Sequence, residues 1–518
     1  MNRVAKNAAW IIGGKVIQAV LALVINMLTA RYLGPSRFGV ITYAASLVAF
    51  VLPIMQLSFS NVLVQEVVNK SEKEGAILGT AIVLSMLSSL LCIAGVTTFA
   101  FVVNPNEKLT VIVCLLYSII LLFQAADHVE FWYQAKLLSK FSSIISLAAY
   151  AVVFGYKIFL LTTAKSIYWF AIANALDYAL ISIAALALYW KLGGQRLSFS
   201  WSVGRELFAK SKHYILSSMM VTIFAQTDKI MIKMMMSETE VGYYGAAVAC
   251  AGMTAFIFGG IIDSFRPAIF QGQKVGEEVF TERMAMLYSV VIYLSLAQSV
   301  LMAALSQPII SLLYGQAYQP AVDALRIVVW YTTFSYMGSV RNIWILAKGK
   351  QNYLWIINLI GALANVILNL ILISLIGING AAVASLVTQF FTNVIVGYII
   401  RPIRPNNRLI AKPLIRAICL KPSRKLGKGA EWTRFGLGPQ SHLHLKTQRP
   451  LSSSLAYNPR RPWNTPELSL SAIAVPNRGL KMPSREKEVL FLAKEYAIFH
   501  RKENGVPPTL SPCKAWRG

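Results

Sequence analysis

The hydrophobic residues of this chain are gathered into long runs that are separated by short polar segments. Each run holds about 20 residues, the length that a helix needs to cross the hydrocarbon core of a bilayer. The runs lack the two-residue alternation that is typical of outer-membrane strands. The sequence therefore predicts an all-α, polytopic membrane protein with about twelve transmembrane helices. The predicted spans are 8–30, 38–58, 76–103, 109–127, 141–163, 166–190, 213–233, 241–262, 286–306, 325–347, 354–376 and 380–400.

The loops between these spans indicate how the chain is oriented. An even number of spans puts both termini on the same side of the membrane. Loops on the cytoplasmic side of a membrane are enriched in Lys and Arg. The segments on the side of the termini hold sixteen such residues, and the alternate segments hold four. Both termini are therefore predicted to be cytoplasmic.

A weak internal repeat divides the spans into two groups of six. Residues 38–45 follow the first span and resemble residues 241–247, which follow the seventh. The longest predicted cytoplasmic connector, residues 191–212, separates the two groups. We therefore expect two pseudo-symmetric six-helix lobes, residues 1–190 and 213–400, arranged as parallel repeats around an axis along the membrane normal.

The formal net charge of +27 comes mainly from the end of the sequence. Residues 401–518 hold 23 Lys and Arg against 6 Asp and Glu, together with 14 of the 20 prolines. Such a composition is typical of disordered segments, so we predict a mostly disordered cytoplasmic tail. A frameshift or fusion product would look the same, and both explanations stay open. The charge does not indicate a nucleic-acid partner.

The sequence contains no arrangement that is typical of catalysis. Its five cysteines show no paired spacing, so neither a disulfide framework nor a metal site is indicated. A phosphate-binding loop of the Walker type is absent, so direct use of ATP is not expected. Ser/His, Cys/His and carboxylate pairs with catalytic spacing are also missing. We therefore expect a transporter that is not an enzyme.

Polar residues inside the first predicted span fall on one face of the helix. Lys15, Gln18 and Asn26 are separated by steps that return to the same side of an α-helix. Charged groups at membrane depth usually face the interior of a bundle. This stripe therefore predicts one wall of a polar cavity, although Lys15 could instead extend its ammonium to the cytoplasmic headgroups.

The seventh and sixth spans repeat this pattern. Gln226, Lys229 and Lys233 form a polar stripe that predicts a second cavity wall. Asp228 either packs against neighbouring helices, which the pattern favours, or binds a coupling cation or proton. Asp177 in the sixth span is a second candidate for ion coupling.

The tenth span carries a cation of a different kind. Arg341 lies beside Asn342, and a guanidinium suits two-point contact with a phosphate group. Its place near the cytoplasmic end also fits an interfacial anchor. We include both residues in the predicted substrate cavity.

Several segments resemble the Wzx-type oligosaccharide flippases, a branch of the multidrug/oligosaccharidyl-lipid/polysaccharide exporter superfamily. The resemblance covers roughly residues 1–400, and its order and spacing are more specific than any single motif. The matching segments are 30–39, 226–230 with 241–244, 314–325, 346–350, 365–369 and 377–382.

The resemblance implies two lobes around a central cavity in a bacterial inner membrane. It implies that the substrate is an undecaprenyl-pyrophosphate-linked oligosaccharide, moved from the cytoplasmic to the outer leaflet for the synthesis of O-antigen, capsule or exopolysaccharide. The expected partners are this lipid-linked oligosaccharide, membrane lipids, a polysaccharide polymerase and chain-length machinery. No cofactor is expected beyond coupling to H⁺ or Na⁺.

Three other functions compete with this interpretation. A cation-coupled multidrug exporter of the same superfamily would need an acidic cavity, whereas the embedded residues here are mostly cations. A lipid II flippase would handle closely similar chemistry. A membrane-embedded glycosyl or acyl transferase would need a large outer loop, and the longest predicted outer loop, residues 307–324, is short.

Overall fold

The computed structural model describes the backbone of residues 3–410 and the side chains from Gly13 onward, apart from Lys15 and Asn61. The predicted disordered tail begins at residue 401, but residues 401–410 are helical and bury Ile403 and Asn406 against the C-terminal lobe. The rest of the tail lies outside the described residues, and so does the side chain of Lys15. All regular secondary structure in the described part is helical. The predicted all-α fold is confirmed.

Sixteen α-helices with assigned bounds follow one another in the described part of the chain. They are α1 (Arg3–Met55), α2 (Ser60–Asn69), α3 (Glu74–Val103), α4 (Lys108–Ser118), α5 (Ile120–Ala126), α6 (Glu130–Ala135), α7 (Ser139–Thr162), α8 (Ile167–Lys191), α9 (Trp201–Met235), α10 (Glu238–Gly252), α11 (Ala255–Val275), α12 (Glu277–Ala304), α13 (Ser306–Leu313), α14 (Ala321–Ala347), α15 (Leu354–Phe390) and α16 (Val396–Ile399). A π-helical segment, Phe391–Ile395, joins the last two.

Nine helical segments in the described part are long and apolar enough to cross a membrane. Two of them, Val16–Met55 and Gln351–Ile399, contain non-helical residues and each supplies two spans. Helix α14 has 27 residues, about 40 Å at 1.5 Å per residue, which is also enough to cross. These segments account for the twelve predicted spans. The protein is a multi-pass membrane protein.

Glycines mark the points where the two long helices are interrupted. Gly34 has φ +72° and Gly377 has φ +61°, in the left-handed region that only glycine adopts at little cost. Pro35 follows Gly34 and begins the second part of α1, where its missing N–H is tolerated. The sequence predicts short loops between spans at these two points. In the structure each connection is a sharp break at a glycine, with helix on both sides.

The predicted connector at residues 191–212 is only partly a loop. Ser200 is extended, and α9 begins at Trp201 and continues to Met235 as a single 35-residue helix. The first turns of α9 pack on the N-terminal lobe: a Cβ at Gly204 would lie 3.0 Å from Leu84, and Lys210 is 2.6 Å from Glu66. These contacts stabilise helix where the polar sequence alone predicts a linker.

The buried side chains form several clusters. One cluster lies within the N-terminal lobe and contains Leu78 and Trp132, and another lies within the C-terminal lobe and contains Tyr288 and Trp344. The largest cluster joins residues of both lobes. The lobes are therefore packed separately over part of their length and share a core elsewhere.

Candidate functional site

The two lobes make backbone contact at one end of the bundle. A Cβ added at Gly39 would lie 1.7 Å from the carbonyl oxygen of Glu238, and one added at Gly242 would lie 2.1 Å from that of Pro35. No other residue type leaves room for such an approach, so both glycines are required by packing. We call this region, residues 30–39 with 107, 233–245 and 312–318, the interlocked end.

Aromatic side chains and hydrogen bonds complete the contact at the interlocked end. The Tyr318 hydroxyl donates to the carbonyl oxygen of Ala30 at 2.9 Å, and Arg31 donates to the carbonyl oxygen of Leu312. The ring of Phe38 meets that of Tyr318 edge-on, with 6.2 Å between centroids. Edge-to-face pairs of this kind add to the energy of apolar burial. The interlocked end is thereby sealed by both lobes.

An ion-pair cluster also crosses between the lobes here. The Lys233 ammonium lies 2.7 Å from a carboxylate oxygen of Glu107 and 2.9 Å from one of Glu238. The side chain of Lys233 is only 2% exposed. Ser36 donates to the second oxygen of Glu238 at 3.3 Å. The sequence pattern assigns Lys233 to the cavity wall, whereas the structure places its charge inside the interlocked end.

A cavity of about 790 Å³ lies next to the interlocked end, between the two lobes. The N-terminal lobe contributes α1, α4, α7 and α8 to its wall, and the C-terminal lobe contributes α9, α10 and α11. Its lining, as far as the chain is described, includes two cations, Lys157 from one lobe and Lys229 from the other, and no Asp or Glu. We call it the central cavity. Its lining favours an anion.

Neither cavity lysine has a carboxylate within 4 Å among the described residues, although Asp177 and Asp228 act on Lys157 and Lys229 electrostatically from a longer range. The Lys157 ammonium donates to the side-chain oxygen of Asn174 at 2.8 Å, and the Lys229 ammonium donates to that of Gln226 at 3.2 Å. An amide oxygen orients an ammonium without cancelling its charge. The cavity therefore holds two positioned cations that are available to a negatively charged ligand.

The residues predicted to form the substrate cavity are distributed over several places. Asn26, Gln226 and Lys229 line the central cavity. Gln18 lines a smaller pocket, about 190 Å³, inside the N-terminal lobe. Arg341 and Asn342 line a pocket of about 180 Å³ inside the C-terminal lobe. The structure thus brings together three of the predicted residues and separates Gln18, Lys233, Arg341 and Asn342 from them, while the side chain of Lys15 lies outside the described part.

Lys157 and its partner Asn174 complete the cavity, and Lys157 is not among the residues that the sequence pattern predicts for it. A lone Lys inside the fifth predicted span is the signal that could have revealed it, because an intramembrane charge usually faces a cavity or a partner. It has no polar neighbours at helical spacing that would form a stripe. Tyr117 and Tyr150 also line the cavity and show no distinctive pattern in the sequence.

Asp228 lies behind the cavity wall in a network of hydrogen bonds. The Tyr244 hydroxyl donates to one of its oxygens at 2.6 Å, and Ser385 donates to the same oxygen. The amide of Asn369 donates to the other oxygen at 2.7 Å. The network ties α9 to α10 and α15, so the carboxylate holds three helices of the C-terminal lobe together.

The second predicted coupling residue, Asp177, lies in α8 of the N-terminal lobe. One of its carboxylate oxygens is buried without a hydrogen-bond partner in the described part of the chain. Over that same part, no group of three or more His, Cys, Asp or Glu side chains is arranged to hold a metal ion.

Comparisons with known proteins agree with this architecture. A family model described as "Polysaccharide biosynthesis protein" matches residues 4–273. No curated protein sequence matches the chain.

Solved structures similar to this one are membrane transporters. The lipid II flippase MurJ in an inward closed conformation aligns with a TM-score of 0.58 and 15% identity, covering 79% of this chain and 91% of that chain. An inward-facing multidrug resistance MATE family transporter of the MOP superfamily aligns with a TM-score of 0.56 and 14% identity, covering 76% of this chain and 96% of that chain. A MOP superfamily transporter from Pyrococcus furiosus aligns with a TM-score of 0.54 and 11% identity, covering 79% of this chain and 96% of that chain. At these identities the likeness establishes a shared fold.

Proposed function

Since the chain belongs to the polysaccharide biosynthesis protein family, we propose that it is a flippase for an undecaprenyl-pyrophosphate-linked oligosaccharide. The substrate moves from the cytoplasmic to the outer leaflet and supplies the synthesis of O-antigen, capsule or exopolysaccharide. One observation carries the proposal. Among the described residues, each lobe contributes one lysine without a carboxylate within 4 Å to the central cavity, and none of the lining residues is acidic.

The chemistry of such a substrate matches this cavity. A sugar-pyrophosphate head cannot enter hydrocarbon, because an uncompensated charge there costs several kcal/mol or more. Lys157 and Lys229 offer positive charge where surrounding protein lowers the dielectric constant and strengthens the attraction. Asn26, Asn174 and Gln226 add amide groups that can hydrogen-bond to sugar hydroxyls. The polyprenyl tail remains in the lipid.

The sealed end supports an assignment of the conformation in which the lobes are packed. Under the positive-inside assignment, the interlocked end faces outward, so the central cavity belongs to an inward-facing conformation. Transport requires the contacts at Gly39 and Gly242 to separate while the opposite ends of the lobes approach. Rocking of two repeats about a central site is the usual way in which such transporters alternate access.

Coupling to H⁺ or Na⁺ supplies the free energy in this proposal. Asp228 is the better candidate site, because the buried side-chain oxygen of Asn369 beside it has no hydrogen-bond partner within the described range. Asp177 is the second candidate. A purely structural role for Asp228 fits its three hydrogen bonds equally well. Imposing a Na⁺ or pH gradient in the assay described below separates the two roles.

The proposal places the protein in a bacterial inner membrane with both termini in the cytoplasm. A polysaccharide polymerase and its chain-length machinery would receive the flipped substrate. These assignments follow from the proposed substrate and from the distribution of Lys and Arg in the loops.

A flipping assay in proteoliposomes tests the function. A fluorescent undecaprenyl-pyrophosphate-linked sugar is loaded, and its transfer is followed with a membrane-impermeant quencher. We expect Lys157→Gln and Lys229→Gln each to lower the rate at least tenfold, because each removes one of two cations that contact the head. Lys→Arg at either position should retain more activity, since the charge persists.

Lys165→Gln is the matched control, because Lys165 is an exposed lysine of the N-terminal lobe, as Lys157 is a lysine of that lobe, and it lies outside the central cavity. Its rate should equal that of the wild type. Wild-type rates in both cavity variants would exclude the proposed function, provided that all variants insert and elute as the same species.

Lipid II flipping is the second candidate function, favoured by the fold shared with MurJ. Its substrate also carries a pyrophosphate, so the cavity lysines do not discriminate. Transfer of labelled lipid II in the same vesicles, at a rate above that of the oligosaccharide substrate, would select it. A multidrug exporter of organic cations is disfavoured, because the described residues of the cavity lining include two lysines and no acidic side chain.

A further inference from the structure

A buried arginine lies in a pocket that is separate from the central cavity. The pocket, about 180 Å³, is enclosed by α9, α14, α15 and the π-helical segment of the C-terminal lobe, and it shares no lining residue with the central cavity. Arg341 lines it and is 4% exposed. We call it the Arg341 pocket.

The guanidinium of Arg341 has no carboxylate within 4 Å in the part of the chain that the structure describes. One terminal nitrogen donates to the carbonyl oxygen of Thr392 at 2.7 Å, and the other is 3.5 Å from the side-chain oxygen of Asn342. The Nε atom is buried without a hydrogen-bond partner. Burying a charge that lacks a counter-charge is strongly unfavourable, so the pocket is incomplete without an anion.

Close packing of the backbone around Arg341 forms the walls of this pocket. A Cβ at Gly338 would lie 2.3 Å from the side-chain oxygen of Asn393, and one at Gly361 would lie 2.8 Å from the Thr392 methyl carbon. Both glycines allow the π-helical segment to approach α14 and α15. Single-turn π-helices occur frequently at functional sites.

Polar groups of two helices, α14 and α15, surround the same space. Ser335 and Ser339 of α14 and Asn358 of α15 line the pocket together with Arg341. Ser339 and Asn342 are exposed, whereas Arg341 is buried, so the arginine forms the floor and the former two residues form the mouth. Hydroxyl, amide and guanidinium N–H groups are the donors that oxyanions accept.

We propose that the Arg341 pocket binds a phosphate group, at a site separate from the central cavity. A guanidinium matches the geometry of phosphate oxygens through two parallel hydrogen bonds. The volume of about 180 Å³ holds one phosphate group and a few waters, each of which occupies about 30 Å³. Free phosphate and the phosphate of a membrane lipid share this chemistry. The proposal stands whether or not the central cavity carries an oligosaccharide.

Equilibrium binding of radiolabelled inorganic phosphate to the purified full chain in detergent tests the first source. Native mass spectrometry of co-purified phospholipid tests the second. We expect Arg341→Gln to weaken phosphate binding at least tenfold, or to remove the bound phospholipid. Ser339→Leu, which blocks the mouth at an exposed position, should have the same effect without disturbing the buried arginine.

Ser374→Leu is the matched control, because Ser374 is also exposed and also bonds to the carbonyl oxygen four residues earlier. It should bind as the wild type does. The double variant Lys157→Gln/Lys229→Gln should retain the Arg341-dependent binding, which separates this result from failure of the flipping proposal.

Loss of inorganic phosphate in both pocket variants supports a free-phosphate site, and loss of phospholipid alone in both supports a lipid-headgroup site. Phosphate and phospholipid binding that persist in either Arg341→Gln or Ser339→Leu would overturn the proposal.

Discussion

The interlocked end and the central cavity use the same helix in opposite ways. Lys229 and Lys233 lie one turn apart on α9, about 6 Å along its axis. Lys233 is buried between two carboxylates, one from each lobe, whereas Lys229 meets only the amide oxygen of Gln226. One cation therefore joins the lobes, and the other remains open to a ligand.

The comparison shows that membrane depth and helix face do not determine what an embedded charge does. Both lysines belong to one polar stripe in the sequence. The opposite lobe supplies the carboxylate of Glu107 to the first, whereas its described residues around the second include another cation, Lys157, and no carboxylate. The tertiary partner therefore decides whether the charge contributes to closure or to binding.

The largest effect is expected where backbone meets backbone. Gly39→Ala should destabilise the interlocked end by about 3 kcal/mol or more, because its Cβ would overlap the carbonyl oxygen of Glu238 and no flexible side chain can yield. Thermal unfolding in detergent and the flipping rate should both fall.

Gly155→Ala serves as its control, since a Cβ at this helical position of α7 meets nothing within 4 Å. This variant should be unchanged or slightly more stable, because Ala favours helix over Gly. Equal stability of both glycine variants would contradict the close approach of the lobes.

A second experiment separates the two lysines of α9. Lys233→Met should lower the free energy of unfolding by about 1–3 kcal/mol, because it leaves two carboxylates facing each other across the lobe interface; their partial exposure keeps the loss below that of a fully buried pair. Lys229→Met should change stability little, since it breaks one hydrogen bond to an amide. Denaturation in detergent measures both.

Glu107→Gln provides the complementary test, because it removes a partner of Lys233 without touching the central cavity. This variant should also be less stable than the wild type, and the ion pair between Lys233 and Glu238 should remain. Larger destabilisation by Lys229→Met than by Lys233→Met would show that the comparison is wrong.

The smallest effect is expected for an ion pair that joins neither region. Lys70 contacts Glu206 and Glu66 at the opposite end of the molecule, and its side chain is 36% exposed. The hydrogen bond to Glu206 raises the pKa of Lys70, so the contribution is fully present below the usual lysine pKa of about 10.4 and is lost as pH rises above it. Lys70→Met should shift the unfolding temperature only slightly at pH 7.

The transmembrane architecture could be predicted well because apolar run length alone sets it. All twelve predicted spans have counterparts, and the interruptions at Gly34 and Gly377 fall between predicted spans. The start of α9 differs because contacts with α2 and α3 stabilise its polar first turns. Such contacts are not visible in local sequence.

The candidate site could be predicted only in part. Periodicity identified Asn26, Gln226 and Lys229 because they lie on polar helix faces. Lys233 has its decisive partner 126 residues away in the chain, at Glu107, and no local pattern reveals that distance. The assignment of Arg341 to one shared cavity fails for the same reason, since its pocket is formed by helices of a single lobe.

Helix α9 sets a limit on how the two lobes can move. Leu207 and Ser211 are buried on the N-terminal lobe side, Thr227 and Asp228 are buried in the C-terminal lobe, and no residue between 212 and 226 is buried. The anchored ends are 16 residues apart, a fixed span of about 24 Å while the helix is intact. The two lobes can therefore tilt relative to each other or bend α9. Sliding of one lobe away from the other along the axis of α9 would require this helix to unwind.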